Sequence, residues 1–326
     1  MAELEIDLTI IGAGPTGLYA AYYAGFRGLS TAVIDSLTEP GGQVTALYPE
    51  KDIYDVAGFP SVKGKELIDR LVEQTAPYDP SYLLGHRADD LLRHDDGSFT
   101  ITTSRDDVLR TNAVLITGGI GHFTPRPLPD GDDYEGRGLV YFVRALESMR
   151  DDDVLIVGGG DSAVDWALNL EGIARSLTLI HRRDRFRAHE DSVAKLLASS
   201  VEVLTYTEVA TIEGDHGIEA VEVFDNRTDE RRLLKVNKVV AALGFKSDLG
   251  PLKTWDIVID GRNILVDTRM QTTQEGVFAA GDITEYEGKV RLISVGFGEA
   301  ATAVNNAAVY IDPTARVFPG HSSGSG

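Results

Sequence analysis

Short apolar runs that end at glycine recur along this chain. Residues 5–11, EIDLTII, are apolar and rich in β-branched side chains, and they lead into GAGPTG and the helix-forming LYAAYYAGFRG. Residues 152–170, DDVLIVGGGDSAVDWALNL, repeat the same order of apolar run, glycines and helix-forming stretch. Because β-branched residues favour strands and glycines allow sharp turns, the pattern predicts two strand–turn–helix units.

The first group of glycines has the spacing of a dinucleotide-binding turn. Gly12 is expected to form the tight turn, Gly14 to let the backbone approach a pyrophosphate, and Gly17 to let the helix pack on the strand. The next apolar run, STAVID, ends at Asp35, which lies 35 − 17 = 18 residues after the third glycine. A carboxylate at that place accepts hydrogen bonds from ribose hydroxyls. The spacing predicts a dinucleotide site, although a glycine cluster alone is also compatible with a flexible loop.

The second group of glycines keeps this spacing. Gly158, Gly160 and Ala163 occupy the three positions, and alanine in the third position still permits close packing. The next apolar run, SLTLI, leads into His181, and 181 − 163 is again 18. His181 and the residues after it therefore stand where the first unit has a carboxylate.

Positive charge is concentrated at this second position. Four of the seven residues 181–187, HRRDRFR, are arginines, although the chain has 31 Lys+Arg against 51 Asp+Glu and a net charge of −20. Guanidinium groups bind phosphate with paired hydrogen bonds, and a cation here favours a 2′-phosphate where a carboxylate favours a free hydroxyl. The pattern predicts NADP(H) at the second site and an adenine dinucleotide without 2′-phosphate at the first. The alternative is a solvated charge cluster in a turn. Two dinucleotides in one chain imply a flavoenzyme with FAD and NADPH.

Composition limits the other possibilities. The length of 326 residues suggests about two domains. The absence of cysteine excludes disulfides, thiolate metal sites and an internal dithiol, and the histidines show no metal-binding spacing, so we expect no metal. The acidic start of the chain and the lack of an apolar run near the roughly 18 residues of a membrane span predict a cytoplasmic protein. The acidity argues against nucleic acid and membranes as partners.

Two further glycine-terminated runs indicate the domain organisation. ITTSRDDVLRTNAVLITGG ends at Gly118 and Gly119, and VNKVVAALGF ends at Gly244. These positions bracket the second glycine unit and are the expected crossings between domains. We predict an α/β fold with two Rossmann-like dinucleotide-binding domains. Residues 1–118 and 249–326 would form the FAD-binding domain, with the NADP-binding domain, residues 119–248, inserted into it.

Several motifs together resemble a known family. GAGPTG, GGQ at 41–43, GGGDSAVD at 158–165, HRRDRFRA at 181–188 and GVFAAGD at 276–282 are similar to low-molecular-weight thioredoxin reductases. Those enzymes carry a CxxC just before the second glycine motif, whereas this chain has FVRA at 142–145. GGQVTALYPEKDIYDVAGFP at 41–60 and VNNAAVYIDPTARVFPGHSS at 304–323 resemble more closely the thioredoxin-reductase-like branch of ferredoxin/flavodoxin–NADP reductases.

The resemblance implies a homodimer that exchanges electrons with ferredoxin or flavodoxin, by hydride transfer from NADPH to flavin N5 and then one-electron transfers. Tyr48 and His321 would cover the two faces of the flavin ring, and no acid–base dyad is expected. Besides the first glycine motif, the residues that match FAD contacts are Thr16, Asp35, Gln43, Tyr48, Ala88, Phe123, Asp282 and Ser323. Those that match NADP contacts are Gly160, Asp161, Ser162, His181, Arg182, Arg183 and Arg187.

Without the resemblance, several of these roles stay open. Asp282, at the end of an expected strand VFAAGD, is also compatible with a turn residue, Tyr48 with a packed surface tyrosine, and His321 with a mobile terminal histidine. A helix expected to begin near Gly298 would direct its positive end at the flavin.

Two other functions compete: an NADPH-dependent flavin reductase of small disulfides or other acceptors, and a non-catalytic nucleotide sensor. An acidic ferredoxin and a chain of charge −20 also repel each other at long range.

Overall fold

The chain folds into two compact units. The computed structural model describes residues 4–119 and 121–320. One unit contains the described residues up to 122 and those from 247 onward, and the other contains residues 123–246. In the sequence, the second unit therefore interrupts the first.

The first part of the first unit alternates strands and helices. In chain order its elements are β1 (Leu4–Ile11), α1 (Pro15–Phe26), β2 (Thr31–Asp35), α2 (Gln43–Leu47), β3 (Asp52–Ile53), β4 (Val62–Lys63), α3 (Gly64–Thr75), β5 (Ser81–Leu84), β6 (Ala88–Arg93), β7 (Phe99–Thr103) and β8 (Val108–Ile116). A 3-10 helix covers Ala76–Tyr78.

The second unit has the same alternation followed by a small antiparallel sheet. After the linking strand β9 (His122–Pro125), its elements are β10 (Leu139–Val140), β11 (Asp153–Val157), α4 (Asp161–Leu170), β12 (Ser176–His181), α5 (Glu190–Ala198), β13 (Glu202–Thr205), β14 (Thr207–Glu213), β15 (Ala220–Asp225), β16 (Arg231–Leu234) and β17 (Lys238–Ala241). Two 3-10 helices cover Asp132–Tyr134 and Leu146–Met149.

The chain then returns to the first unit through β18 (Phe245–Asp248). The elements that follow are a 3-10 helix at Gly250–Thr254, β19 (Ile259–Asp260), β20 (Asn263–Leu265), β21 (Val277–Ala279), β22 (Thr284–Glu285) and α6 (Ile293–Ile311).

Parallel pairing of β5, β2, β1, β8 and β21 brings the carboxyl ends of these strands to one edge of the first unit's sheet, whereas β7 pairs antiparallel with β8 and β6. The strand order is β5-β2-β1-β8-β7-β6, and β21 also pairs with β8. Ile11, which ends β1, is the partner of both Ile34 and Ile116, and Ala279 is a partner of Ile116 as well. Ligands of open parallel sheets bind at this edge, so the loops after β1, β2, β8 and β21 form the candidate site.

Alternating side chains of β1 supply two layers of the first unit's core. Leu8 and Ile10 are fully buried on the face that packs against α1 and α6, whereas Ile11, on the alternate face, packs against the other core cluster. Alanines allow both helices to approach the sheet closely. These buried alanines are Ala20, Ala21 and Ala24 of α1 and Ala300, Ala303 and Ala307 of α6.

The second unit is built around a five-stranded parallel sheet of order β10-β17-β11-β12-β13. Val154 and Ile156 of β11 pack with α4 and α5 on one face, and Leu155 and Val157 pack with the β14-β15-β16 sheet on the other. Val157 is the partner of Ile180 and of Ala241, so the carboxyl ends of these strands also align. The α/β class predicted from the sequence is confirmed.

Two predicted boundaries are wrong. Helix α6 begins at Ile293 rather than near Gly298, because the Asp55 carboxylate accepts a hydrogen bond of 2.8 Å from the Ile293 amide and so satisfies the helix N-terminus. Strand β21 ends at Ala279, and Asp282 lies in the turn that follows, because Gly281 adopts a φ of +83°.

Candidate functional site

The first glycine loop is packed too tightly for side chains at two of its three glycines. Gly12 has a φ of +112°, and a Cβ added to it would lie 2.7 Å from the Thr117 carbonyl oxygen. A Cβ on Gly17 would overlap the Gly12 carbonyl oxygen and lie 2.7 Å from Thr117 Oγ1. That hydroxyl donates a hydrogen bond of 2.8 Å to the Gly12 carbonyl. The loop and the first turn of α1 are therefore in direct backbone contact.

The middle glycine of this loop faces open space. A Cβ added to Gly14 would meet no atom within 4 Å. Gly14 is the N-cap of α1, and no side chain makes a capping hydrogen bond there. The helix N-terminus thus presents uncapped amide groups beside a hollow that a side chain would fill, which fits a phosphate-binding cradle.

Asp35 places a half-buried carboxylate next to this cradle. Its Oδ2 accepts a hydrogen bond of 2.6 Å from the Ala13 amide, and its Oδ1 accepts one of 2.8 Å from the Leu37 amide. Burial raises the pKa of Asp35, and the two amide hydrogen bonds partly offset that rise. Each carboxylate oxygen has further acceptor capacity, so Asp35 can also accept hydrogen bonds from ribose hydroxyls.

The segment after Pro40 folds back onto the glycine loop. The Gly41 amide donates a hydrogen bond of 2.7 Å to the Ala13 carbonyl. Gln43 begins α2, and its Nε2 lies 2.8 Å from the place that a Cβ on Gly119 would occupy. Tyr48 follows at the end of the same helix. Burial, together with the carboxylates of Asp282 and Asp55, raises the pKa of Tyr48 to about 12.

Asp282 and Thr16 lie at the same site, although they belong to other elements of the first unit. Burial raises the pKa of Asp282, and the cations Lys289 and Arg291 oppose that rise. Thr16, in the first turn of α1, packs beside the turn that carries Asp282, since its Oγ1 lies 2.9 Å from the place of a Cβ on Gly281. The structure therefore brings Thr16, Asp35, Gln43, Tyr48 and Asp282 to one edge of the sheet.

The other residues predicted to contact FAD are Ala88, Phe123, His321 and Ser323. Ala88 is buried at the start of β6, and the chain just before it is joined to β2 by a hydrogen bond of 2.9 Å from the His86 amide to the Asp35 carbonyl. Phe123 lies on β9. His321 and Ser323 lie outside the described residues, so their predicted contacts stay predictions.

A buried ion pair supports the Gly281–Asp282 turn, and the sequence did not indicate it. The Lys289 and Glu299 side chains are 1% and 5% exposed and form a salt bridge. Glu299 also accepts hydrogen bonds of 2.7 Å from the Gly281 amide and 2.6 Å from the Tyr286 hydroxyl. A glutamate on the apolar, alanine-rich face of α6 was the available signal, because an acid is rarely buried unless it is paired.

The second glycine loop repeats the first with a different third residue. A Cβ on Gly158 would overlap the Ala242 carbonyl oxygen, whereas a Cβ on Gly160 would meet no atom within 4 Å. Gly160 is the N-cap of α4, again without a side-chain cap. Ala163 is fully buried in the first turn of that helix. The second loop therefore has the same open cradle.

The segment His181–Arg187, termed the basic loop, folds back over this cradle. The Arg187 amide donates a hydrogen bond of 2.7 Å to the Gly159 carbonyl. The His181 ring stacks on Phe186 with centroids 5.2 Å apart, and burial and the neighbouring arginines lower its pKa. The exposed guanidinium groups, which form no ion pair with any other described residue, belong to Arg182, Arg183, Arg185 and Arg187.

Asp161 and Ser162, the other predicted NADP residues, begin α4 and are exposed. Asp161 Oδ1 accepts a hydrogen bond of 2.9 Å from the His189 amide, which joins the helix to the chain beyond the basic loop. The second unit thus gathers its glycines, His181 and the arginines at one sheet edge.

Within residues 4–119 and 121–320, no helix is long and apolar enough to cross a membrane. The same ranges contain no group of three or more histidine, aspartate or glutamate side chains arranged to hold a metal ion.

Comparison with known sequences gives extensive matches. Residues 6–307 match the family described as pyridine nucleotide-disulphide oxidoreductase. A ferredoxin–NADP reductase of Frankia alni is 60% identical over 317 residues, which cover 97% of this chain and 98% of that protein. A ferredoxin–NADP reductase of Thermus thermophilus is 50% identical over 329 residues, covering 99% and 98%.

Comparison with solved structures gives the same fold. The thioredoxin reductase of Lactococcus lactis in its FR conformation superposes with a TM-score of 0.79 at 26% identity, covering 94% of this chain and 99% of that one. The thioredoxin reductase of T. acidophilum gives a TM-score of 0.80 at 26% identity, covering 96% and 100%. The predicted two-domain, thioredoxin-reductase-like fold is confirmed. This chain has no cysteine.

Proposed function

This chain belongs to the pyridine nucleotide-disulphide oxidoreductase family, and we propose that it is an FAD-dependent reductase that passes electrons between NADPH and ferredoxin. The full-length relatives at 50–60% identity named ferredoxin–NADP reductase support this assignment. The cofactors FAD and NADP(H) agree with the two cradles at the ends of parallel strands.

One structural observation carries the proposal. Both units have an open, uncapped helix N-terminus at Gly14 and Gly160. The strand beside the first ends in the half-buried carboxylate of Asp35, and the strand beside the second leads into exposed arginines. A carboxylate suits a free ribose diol and arginines suit a 2′-phosphate. This difference supports two different dinucleotides, of which the second is NADP(H).

In the first unit, FAD would be held by the glycine loop and by the residues gathered around it. Bound FAD supplies the redox chemistry, taking two electrons from NADPH and releasing them singly to ferredoxin. Tyr48 would lie against the flavin ring, and its pKa of about 12 keeps the phenol protonated at neutral pH. The proposed contacts are Gly12, Gly14, Thr16, Gly17, Asp35, Gln43, Tyr48, Ala88, Phe123, Asp282 and, beyond the described residues, His321 and Ser323.

In the second unit, NADP(H) would lie on the glycine loop with its 2′-phosphate at the basic loop. Gly160 would admit the pyrophosphate to the N-terminus of α4, and Gly158 would maintain the turn. Arg182, Arg183 and Arg187 would neutralise the 2′-phosphate. The remaining proposed contacts are Asp161, Ser162 and His181.

The lack of cysteine favours a protein electron acceptor over a disulfide. Reduction of a disulfide by flavin normally passes through a protein thiolate, and this chain has no cysteine to provide one. Electrons must then leave the protein without passing through thiols, which suits an iron–sulfur partner. Flavodoxin as a second partner, the homodimer and the cytoplasmic location remain predictions from the sequence and its resemblance.

The proposal is tested on the purified protein. We expect a yellow preparation that is bleached by NADPH without oxygen and that reduces cytochrome c only when ferredoxin is added. A colourless preparation that takes up no FAD contradicts the proposal. A yellow protein that NADPH does not bleach contradicts the assignment as a reductase.

Two variants test the assignment of the second site. Arg182→Ala and Arg183→Ala should each weaken NADPH binding about 10- to 100-fold, the equivalent of roughly 1.5–3 kcal/mol, and leave NADH unchanged. Arg232→Ala is the matched control, because Arg232 lies in the same unit and is paired with Glu202 at 2.9 Å. Equal loss of NADPH and NADH in the first two variants contradicts a 2′-phosphate site.

A further inference from the structure

The basic loop accepts hydrogen bonds from residues that lie outside it and that are not proposed to contact either nucleotide. Long arginine side chains lose roughly 2 kcal/mol of rotamer entropy when they are fixed on a ligand, so tight binding requires a backbone that is already in place. In the described structure, two side chains from the neighbouring antiparallel sheet, Tyr206 and Asn226, bond directly to the loop.

Asn226 fixes the backbone of the loop at its first arginine. It follows β15, and its Nδ2 donates a hydrogen bond of 2.9 Å to the Arg182 carbonyl and one of 2.8 Å to Glu208 Oε1. Its own amide donates a hydrogen bond of 2.8 Å to the Tyr206 carbonyl. Asn226 therefore ties the basic loop to the start of β14.

Tyr206 bonds to Asp184, which carries the one carboxylate within the basic loop. Its hydroxyl donates a hydrogen bond to Asp184, and this bond lowers the pKa of Asp184. The Arg227 guanidinium lies 3.7 Å from the centroid of the Tyr206 ring and is paired with Asp225 at 2.7 Å. Asp184 thus has a partner other than the arginines on either side of it.

The backbone of Tyr206 is in a conformation that tyrosine seldom adopts. Its φ is +55°, in the left-handed region, at the junction between β13 and β14. A residue other than glycine in this region costs of order 1 kcal/mol or more and persists only where its surroundings require it. Here the conformation places the ring beneath Arg227 and the hydroxyl at Asp184.

We propose that Tyr206 and Asn226 are positioning residues for the 2′-phosphate of NADP(H), which set the preference for NADPH over NADH without touching the ligand. This inference rests on the proposed function of the second site. Asn226 holds the backbone from which the arginines project. Tyr206 holds the Asp184 carboxylate in a hydrogen bond, so that Asp184 competes less with the phosphate for those arginines.

The two roles predict different consequences of substitution. Tyr206→Phe keeps the ring beneath Arg227 but releases Asp184, which can then compete with the phosphate for the guanidinium groups. We expect about five- to tenfold weaker NADP⁺ binding, less than for loss of a charged hydrogen bond to the ligand itself, because Tyr206 does not touch the ligand. Adding Asp184→Asn to Tyr206→Phe removes the competing charge and should restore most of the affinity. Asn226→Ala should weaken NADP⁺ binding by a similar factor.

The experiment titrates the FAD-loaded protein with NADP⁺, NAD⁺ and 2′,5′-ADP at constant ionic strength and follows binding by calorimetry. Tyr134→Phe is the matched control, since the Tyr134 hydroxyl donates hydrogen bonds to the carbonyls of Ile212 and Gly214, at 3.2 Å and 3.0 Å, away from the basic loop. It should keep the wild-type ratio of NADP⁺ to NAD⁺ affinity.

The outcomes separate this inference from the proposed function. A wild-type protein that does not prefer NADP⁺ to NAD⁺ overturns both. A wild type that prefers NADP⁺, with Tyr206→Phe and Asn226→Ala variants that keep that preference, overturns only the positioning role. Equal losses for NADP⁺ and NAD⁺ indicate general damage to the unit and also overturn it. Selective loss of NADP⁺ and 2′,5′-ADP, with rescue by Asp184→Asn, supports it.

Discussion

The two glycine loops are built to one plan but differ in how closely the helix approaches the strand. In the first, α1 lies so near the Gly12 carbonyl that a Cβ at Gly17 would overlap it. In the second, the Ala163 Cβ fits within the core, 3.0 Å from the place of a Cβ on Gly158. The contrast shows that the motif requires a small third residue. The distance between the helix and the preceding loop determines whether that residue is glycine or alanine.

The loops differ more strongly in charge. Asp35 is half-buried and accepts hydrogen bonds from two backbone amides, whereas the arginines of the basic loop are exposed. The cradle for the pyrophosphate is the same in both units. Selectivity between nucleotides therefore lies in the residues after the next strand, and the glycines alone do not determine it.

The largest expected effect tests the difference at the third position. Gly17→Ala should destabilise the protein by about 3 kcal/mol or more, because the added methyl group meets backbone that cannot move away. The reverse change in the second unit, Ala163→Gly, should cost about 1 kcal/mol through helix propensity and lost packing. Urea unfolding followed by circular dichroism measures both. Similar losses in the two variants would show that the two helices approach their strands equally closely.

An intermediate effect tests the open cradles. Gly14→Ala should weaken FAD binding about tenfold, or about 1.4 kcal/mol, and Gly160→Ala should weaken NADP⁺ binding to a similar extent. Each methyl group occupies space that the phosphates need and contacts no protein atom within 4 Å. Stability should change by less than about 0.5 kcal/mol. Flavin fluorescence measures the affinity for FAD, and titration measures the affinity for NADP⁺. If Gly14→Ala weakened NADP⁺ binding instead, or Gly160→Ala weakened FAD binding, the assignment of the two sites would be reversed.

The smallest effect tests the difference in charge. Raising NaCl from about 50 to about 500 mM should weaken NADP⁺ binding roughly three- to tenfold, because exposed charges are screened. Retention of FAD should change less, because Asp35 is half-buried and accepts hydrogen bonds from two backbone amides. NAD⁺, which lacks the 2′-phosphate, is the internal control. A salt dependence shared by NADP⁺ and NAD⁺ would show that the arginines do not act on the 2′-phosphate.

The glycine loops were predictable because their signal is local in sequence. Each runs from a strand through the glycines into a helix, and in each the next strand ends 18 residues after the third position. Asp35 and His181 could thus be placed at strand ends before any tertiary contact was known. The observed β2 (Thr31–Asp35) and β12 (Ser176–His181) end at those residues.

The supporting contacts could not be predicted, because they join residues far apart in the chain. The bond from Asn226 to Arg182 spans 44 residues, and the bond from Ile293 to Asp55, which moves the start of α6, spans 238. Asn226 and Ile293, the two residues that form these bonds, belong to no motif of the sequence analysis. The sequence identified residues that would face a nucleotide but gave no sign of those that hold them in place.

The buried pair of Lys289 and Glu299 restricts how this region can change by mutation. Removing one partner leaves an uncompensated charge in the interior, which typically costs about 3–5 kcal/mol, whereas replacing both with apolar residues can be neutral. Replacement of the ion pair by two apolar residues, one mutation at a time, therefore passes through an unstable single variant. Because the Gly281 amide bonds to the same glutamate, that intermediate would also loosen the turn that carries Asp282. The two positions are therefore expected to be inherited together.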